Sequence, residues 1–584
     1  MSEGNARQRA MRGSSRRRLR WAAVLAAVAG WVGSVAGGSS CAGPLADGCD
    51  ALGTCAVADA GDGRAADVRT EGAVDVATDG CDPTMDPKDA PCVLDDAYGV
   101  FVASSAGVDE GADAGEGGAD SGSGDGSMSA PYATITQALA SLGSKTRIYI
   151  CDGLYSEQVN VTAAVSLYGG LSCAAGVWAY EVGGSAQVSS PSAGVALSVT
   201  EVSSGGVTIE DLSFTSPSAT APGGSSIAAW IASSSVSLQR VTLSAGSGAN
   251  GAPGADGSAN PNYAGLAPTG GAQVWSDTSG LFGAISGGPG ASNQCVLSGS
   301  SAGGQGGLGC SNAPGSPGLG TAGTAIPEAP VTVPGRDGLP EGTVAPVDGG
   351  SPVTVTANDP GADGLAGDGG VATPAQAYGS LSLSGWTPGA GGDGASGEPG
   401  QGGAGATDPL YGRCGTPAQS LGGGGGGAGG CGGSGGQGGG GGGASIALAI
   451  VAGTVDLTGC VLSTAAAGIG GAGGAGQDGQ AGGPGGDSSF GSNPHAPGAT
   501  GGNGAGGSGG AGGTGGISVG ILSTGSTVTS DTASASATLG WSGAGGAPGV
   551  SGRHPTGGAL TTGTDGNPGA PGSPGTSVAV LSLM

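Results

Sequence analysis

Three stretches of the chain share one spacing of apolar and polar positions. Val207-Thr-Ile-Glu-Asp-Leu-Ser-Phe214, Val236-Ser-Leu-Gln-Arg-Val-Thr-Leu243 and Val455-Asp-Leu-Thr-Gly-Cys-Val-Leu462 each put apolar residues at the first, third, sixth and eighth positions. Alternation at a period of two turns every second side chain to one face of a strand. The skip of two in the middle is a corner, after which alternation resumes with the same face inward. A chain that alternates, bends and alternates again winds around a core. The longer match runs from Ser226–Ser244 to Ser445–Ser463, identical at 8 of 19 positions at an offset of 219. If successive turns stack in register, Val207, Val236 and Val455 form one inward column.

The same pattern predicts strands at Tyr98–Ala106, Arg147–Cys151, Val159–Val161 and Val165–Leu167. Others follow around Val195, Leu197 and Val199, around Ile227, Ala229 and Ile231, and in degenerate form over Ile517–Thr529. One short helix is predicted after Pro131, with Ile135, Ala138 and Leu139 at helical spacing and Thr134 as N-cap. The fold class is therefore all-β.

A second periodicity interrupts the first. Gly248, Gly251, Gly254 and Gly257 recur every third residue, as do Gly470–Gly485 and Gly563–Gly575, with further runs at Gly391–Gly403 and Gly504–Gly516. A period of three suits an extended three-fold helix whose side-chain-free edge lets neighbours approach closely. Runs of this length predict side-by-side packing within one chain rather than an autonomous triple helix; a flexible loop is the alternative. Because the runs follow equivalent points of the winding pattern, they are expected to leave the body on one side. Their composition resembles that of the glycine-rich repeat surface proteins of some actinobacteria.

Composition changes the picture in two ways. With 139 Gly and 20 aromatic residues in 584, much of the chain cannot fill a side-chain core. Net charge is −27, but seven Arg lie within the first 20 residues, and beyond Ser40 nine Lys and Arg face 42 Asp and Glu. A body this acidic repels nucleic acid and anionic lipid.

The basic start, Arg16-Arg17-Arg18-Leu19-Arg20, precedes a short apolar run, Trp21–Ala36, as in an export signal. Ser15-Arg16-Arg17 resembles a twin-arginine signal. Two cleavage sites compete. Ser34-Val35-Ala36 resembles an ordinary signal-peptidase site, and Gly38-Ser39-Ser40-Cys41 resembles a bacterial lipobox, with Gly38 where lipoproteins carry Leu. The second implies lipidation at Cys41 and a membrane partner through that anchor. Cys49, Cys55, Cys81 and Cys92 follow in an Asp-bearing segment; outside a reducing compartment such cysteines are expected as disulfides rather than as a metal site.

From residue 98 onward, Val102, Gly107, Asp109, Pro131, Tyr132, Thr134, Ile135 and Ala138 resemble the opening of right-handed parallel β-helix proteins of the pectate-lyase-like superfold. The likeness covers about 98–245 and resumes over 445–584. It implies a right-handed parallel β-helix with an N-terminal capping helix and glycine-rich extended insertions. The chain then divides into a signal peptide (1–40), a Cys/Asp-rich tether (41–97), the first part of the β-helix (98–245), a glycine-rich insertion (246–444) and the second part with its glycine tracts (445–584). Cys151 and Cys173, 22 residues apart, lie one turn apart in such a helix, within disulfide reach. Within the insertion, the pairing of Cys295, Cys310, Cys414 and Cys431 stays open. Cys460 occupies the position of Leu212 and Val241 and is expected to be buried.

The superfold includes polysaccharide lyases and hydrolases, which work with clustered or paired carboxylates. The residues here are Glu210, Asp211, Arg240 and Asp456; Asp211 and Arg240 fall at equivalent corners and are expected to form a stacked ion pair. A second candidate set is aromatic: Trp178, Tyr180 and Tyr168, near Tyr149 and Tyr155, could stack on carbohydrate or fill the first turns. No cofactor is expected; calcium is the one alternative, against a solvated loop. Asp109–Asp125 concentrates carboxylates, and Gly473–Asp478 and Gly482–Asp487 fit the start of the calcium-binding nonapeptide, though Gln480 and Ser489 stand where that family has a large apolar residue. The Gly-x-Ser-x-Gly matches at Ser434 and Ser301 lack a His partner, since His495 and His554 both lie in loop sequence. The expected function is an exported cell-surface structural or adhesive scaffold, non-catalytic, with polysaccharide or other surface proteins as partners and no nucleic acid. A polysaccharide lyase or glycoside hydrolase is the alternative.

Overall fold

The structure is a computed structural model, describing residues 81–104, 124–258, 274–275, 286–295, 299–307, 324–326, 378–405, 423–490, 493–494, 497–532, 534, 536–555 and 563–583. It is all-β apart from the helix Ile135–Ala140 and two single 3-10 turns. Thr134 caps the helix, its hydroxyl accepting from the Gln137 N–H, and Ile135 and Ala138 are buried against the first strands.

Three parallel sheets dominate. The first runs through Gly99–Val102, Arg147–Cys151, Val165–Ser172, Val207–Glu210, Ser235–Gln239, Thr454–Thr458 and Thr527–Ser530. The second runs through Leu154–Tyr155, Ala186–Ser189, Leu212–Ser216, Thr242–Ala245, Val461–Thr464 and Ala537–Thr538. The third runs through Val159–Val161, Val195–Thr200, Ser226–Ala232, Ser445–Val451, Ser518–Thr524 and Ser577–Leu583. From Arg147 on, the chain visits the three in the same order, turn after turn, an arrangement of stacked strands compatible with a β-helix-like fold.

Register follows the sequence pattern. Val207 pairs with Val236 and Val236 with Val455, and all three are buried. Val165 and Val528 extend that column at either end. Beside it, Leu167, Ile209, Leu238 and Leu457 form a second column. Each buried aliphatic side chain contributes about 1.5–3 kcal/mol, so the columns hold the stack. The outer face of the third sheet is also apolar: Trp230, Ala449 and Leu522 are covered by Leu381 and Trp386 of a hairpin, Gly379–Ser382 with Gly385–Pro388. That hairpin belongs to the long insertion and was not expected.

The glycine tracts leave from equivalent places. Each departs after a strand of the second sheet (Thr242–Ala245, Val461–Thr464, Ala537–Thr538) and re-enters as a strand of the third (Ser445–Val451, Ser518–Thr524, Ser577–Leu583). Outgoing and returning tracts hydrogen-bond side by side. The N–H groups of Gly427, Gly430, Gly433, Gly436, Gly439 and Gly442 donate to the carbonyls of residues 499, 502, 505, 508, 511 and 514 at 2.8–3.0 Å. Antiparallel to this, Gly468, Gly471, Gly474 and every third residue to Gly486 donate to carbonyls from Gly443 back to Gly425 at 2.8–2.9 Å. With three residues per turn, each edge of a tract meets a different neighbour. Close approach is what glycine permits here: a Cβ on Gly433 would stand 2.0 Å from the Gln477 carbonyl oxygen.

Three disulfides join the described residues: Cys81–Cys92, Cys151–Cys173 and Cys295–Cys431. The second links neighbouring turns of the stack; the third fixes the segment Ser292–Cys295 to a glycine tract. Cys460 is free and buried. Cys41, Cys49, Cys55, Cys310 and Cys414 lie outside the described residues.

Candidate functional site

The corners between first-sheet and second-sheet strands concentrate the charged chemistry. Asp211, Arg240 and Gly459 occupy this corner on three successive turns, at φ of 51°, 53° and 62°. The left-handed conformation suits glycine and tolerates Asp, but strains Arg by about 1 kcal/mol or more. What the strain secures is position. Arg240 lies along the column of corners, Nε donating to Asp211 Oδ1 at 2.8 Å and Nη2 to Asp211 Oδ2 at 2.8 Å. Nη2 also reaches Glu210 Oε2 at 2.9 Å. The expected stacked Asp211–Arg240 pair is present, bidentate on Asp211, and Glu210 extends it to a three-member cluster in which both carboxylates are buried. Paired with Tyr168 in register, Glu210 projects to the outer side of the first sheet, away from the valine column.

Electrostatics sharpen the site. Burial, reinforced by the nearby Asp86 and opposed by Arg240, pushes the Glu210 carboxyl up to about 7. Burial and the neighbouring Glu181 and Asp211 push Asp152 up to about 6. The Arg240 guanidinium is held still more firmly protonated, chiefly by its bonds to Asp211. Glu210 Oε1 and Asp152 Oδ1 are both buried without a hydrogen-bond partner among the described residues. Tyr180 lies against the same corner: the space a Cβ on Gly170 would take is 3.2 Å from the Tyr180 ring and 3.0 Å from Asp211 Cβ. The two sequence-predicted sets, carboxylate and aromatic, thus meet at one corner. Asp456 does not join them; it stands exposed on the outer face of the first sheet, in register with Ser237 and Thr529.

The aromatic residues pack mainly on one another. Trp178 is 9% exposed, its ring edge-on to Phe101 at 4.7 Å and its Nε1 donating to the Met128 carbonyl at 3.2 Å. Tyr168, 5% exposed, stacks on Tyr149 at 6.0 Å and lies under the Arg147 guanidinium at 4.9 Å. Arg147 also donates to the Met85 carbonyl, and Tyr149 to that of Val93 at 2.6 Å, so the Cys81–Cys92 segment closes over this face. Burial, against the pull of Arg147, holds the Tyr149 phenol up at about 12. Of the three candidate sugar-binding rings, Tyr180 alone is half-buried rather than buried.

Chemically, the corner offers a carboxyl poised to gain or lose a proton near neutrality. At 2% exposure, however, Glu210 is out of reach of a polymeric substrate. Among the described residues no group of three or more His, Cys, Asp or Glu is placed to hold a metal ion. Asp478, the acidic residue of one nonapeptide-like match, accepts the Arg553 N–H at 2.7 Å. Most of the Asp109–Asp125 loop lies outside the described residues, as does Cys41. Among the described residues, no helix is long and apolar enough to cross a membrane. No family model, curated protein or solved structure matches the chain.

Proposed function

We propose that this chain is an exported cell-surface scaffold, a right-handed parallel β-helix that projects a rigid glycine sheaf from its last turns. The observation that carries the reading is the hydrogen-bonded order of the tracts. A flexible linker leaves its glycine N–H groups to water; here they pair tract against tract every third residue. Disulfides fit an oxidising compartment outside the cytosol. The acidic surface and the export-like start fit the same location. In this reading Cys41 carries the lipid, the residues before Cys81 tether the body while Cys81–Cys92 packs on it, and the scaffold meets polysaccharide or other surface proteins. The half-buried Tyr180 beside the Arg240 corner is the place where a sugar would stack.

Surface labelling and fractionation test it. A membrane-impermeant amine label should mark the protein on intact cells, and Cys41→Ala should abolish palmitate labelling and release the protein from the membrane fraction. A protein found in the cytosol, unlabelled until lysis, would end the scaffold reading. Release of sugar products from acidic polysaccharide with added calcium, lost in Glu210→Gln, would replace it with the lyase or hydrolase alternative.

A further inference from the structure

We propose that one outer face of the glycine sheaf, formed by tracts 248–257, 465–480 and 540–553, is a docking surface for a second copy of this chain. These three tracts run parallel. Gly251, Gly254 and Gly257 donate to the carbonyls of Ile469, Ala472 and Ala475, and Gly470, Gly473 and Gly476 donate to those of Ala544, Ala547 and Val550. The step from tract to tract is the same, so the residues preceding these donor glycines in the first two tracts, and Ala544, Ala547 and Val550 whose carbonyls accept in the third, face one side. Side chains mark that side directly: Asn250 Oδ1 accepts from the Ile469 N–H, Asp256 Oδ1 from Ala475 and Asp478 Oδ1 from Arg553.

The face is apolar along most of its length. The middle ridge carries Ala466, Ile469, Ala472 and Ala475, with Ile469 49% exposed. The flanking ridge carries Trp541, Ala544, Ala547 and Val550, with Trp541 84% and Val550 67% exposed. Among the described residues, three of the ten exposed large apolar side chains thus fall on this one face. The sheaf behind it is fixed by buried backbone, so the ridges cannot fold inward to hide them.

Three considerations select a second copy as occupant. The first is spacing. Ridges recur about every 9 Å along a tract and about every 5 Å across, and a copy of the same face presents the same two spacings. The second is size. About 40 Å of length by about 15 Å of width gives about 600 Å² per copy, or about 1,200 Å² in total, the lower limit of specific interfaces. The third is charge. The rest of the chain is strongly acidic, so copies repel except where the surface is neutral. The charges on this face are few and of both signs: Asp256 and Asp478, each accepting a backbone N–H, and Arg553, whose own N–H is the one Asp478 accepts. Trp541 and Arg553 lie equally far from Ala547 on the same ridge. A two-fold axis at Ala547 therefore sets Arg553 of one copy on the exposed indole of the other, a cation–π contact. A parallel arrangement would set Arg553 on Arg553.

This inference does not depend on where the chain resides. Sedimentation of the whole chain from about 1 to about 100 µM, a range that reads micromolar association, should show its mass doubling. Val550→Asp should raise the midpoint at least about tenfold by burying an unpaired carboxylate, with an unchanged melting curve because the side chain projects into solvent. Ala547→Cys, on the axis, should give a disulfide-linked dimer on oxidation. A chain monomeric throughout the range, a dimer indifferent to Val550→Asp, or Ala547→Cys that never cross-links would overturn the proposal. Should Val550→Asp disturb the melt, the Ala547→Cys result decides alone.

Discussion

The stack and the sheaf solve the same problem with opposite materials. In the stack, columns of Val and Leu exclude water, and the backbone is paired in parallel ladders. In the sheaf, the buried material is the backbone itself. Tracts 423–443 and 498–516 carry Gly at two of most triplets, lack Pro, and are buried along nearly their whole length. Outer tracts carry one Gly per triplet together with Pro253, Pro399, Pro548, Pro568 or Pro571. The number of glycines per triplet therefore reads how many neighbours a tract has, and proline marks edges that receive no further tract. The sheaf gains little from the hydrophobic effect. A net hydrogen bond is worth about 1 kcal/mol, while ordering one residue costs about that or more, and glycine most of all. What tips the balance is the stack, which holds both ends of every excursion between the second and third sheets. The stacked turns are the foundation, and the sheaf borrows its order from them.

The largest test of that dependence is covalent. By chain entropy, removing Cys295–Cys431, which closes a separation of 136 residues, should cost about 5 kcal/mol, and removing Cys151–Cys173, with a separation of 22, about 3 kcal/mol. Hydrogen exchange should localise the first loss to the sheaf and the second to the early turns. If both mutants open the entire chain together, the two regions are one cooperative unit and the distinction drawn above fails. A pair of single substitutions comes next. Gly510→Ala adds a Cβ 2.0 Å from the Gln437 carbonyl oxygen and should destabilise by about 3 kcal/mol, as overpacking does. Val236→Ala removes methyl groups from the valine column and should cost about 2–3 kcal/mol. Thermal melts should thus show loss on adding a methyl in one region and on removing methyls in the other. A neutral Gly510→Ala would mean the tracts are loosely packed.

Much of this was legible beforehand, for an identifiable reason. Period-two alternation with a two-residue corner repeated strongly enough to place Val207, Val236 and Val455 in register, and of the two readings the three-residue glycine period allowed, packed extended neighbours and a flexible loop, the hydrogen bonds of the described tracts select the first. The last turn read as degenerate because Ser523 and Ser530 stand in the columns of Ile450 and Leu457. The covering hairpin around Leu381 and Trp386 escaped because its few apolar residues sit in a long polar insertion with no period of their own. In sequence, Glu210 is one of two adjacent carboxylates at a corner, with nothing to mark it as buried. Its burial comes from elements distant in sequence, the Cys81–Cys92 segment and the next turn's Arg240, and no local spacing encodes that.

The stack also carries the chain's pH response, because its corner holds the buried acids. The folded state raises Glu210 to about 7 and Asp152 to about 6, so it binds protons more tightly than the unfolded chain. Stability should be greatest below the usual carboxylate range and be lost as the pH climbs through it to about 7, with no further loss from this source above. The groups facing Glu210 are Arg240, Asp211 and Asp86. Glu210→Gln should flatten most of the slope between about pH 4.5 and 7 in melts of the whole chain. A slope that survives Glu210→Gln together with Asp152→Asn would locate the response elsewhere, the sheaf included.

The smallest effect separates the sheaf's two kinds of hydrogen bond. Most glycine N–H groups of the tracts pair with carbonyls, whereas the N–H groups of Ile469, Ala475 and Arg553 are taken by side-chain oxygens of Asn250, Asp256 and Asp478. These oxygens stand in the one position of the triplet where a side chain is allowed, and they close a gap the backbone cannot. Asp478→Asn keeps the acceptor and should leave stability unchanged. Asp478→Ala removes it at an exposed site where water substitutes, so the cost should be about 0.5–1 kcal/mol. Amide exchange at Arg553 is the readout: it should speed up in Asp478→Ala and not in Asp478→Asn. Equal acceleration in both would mean that the carboxylate acts through its charge, and that the sheaf is held by electrostatics as well as by hydrogen-bond geometry.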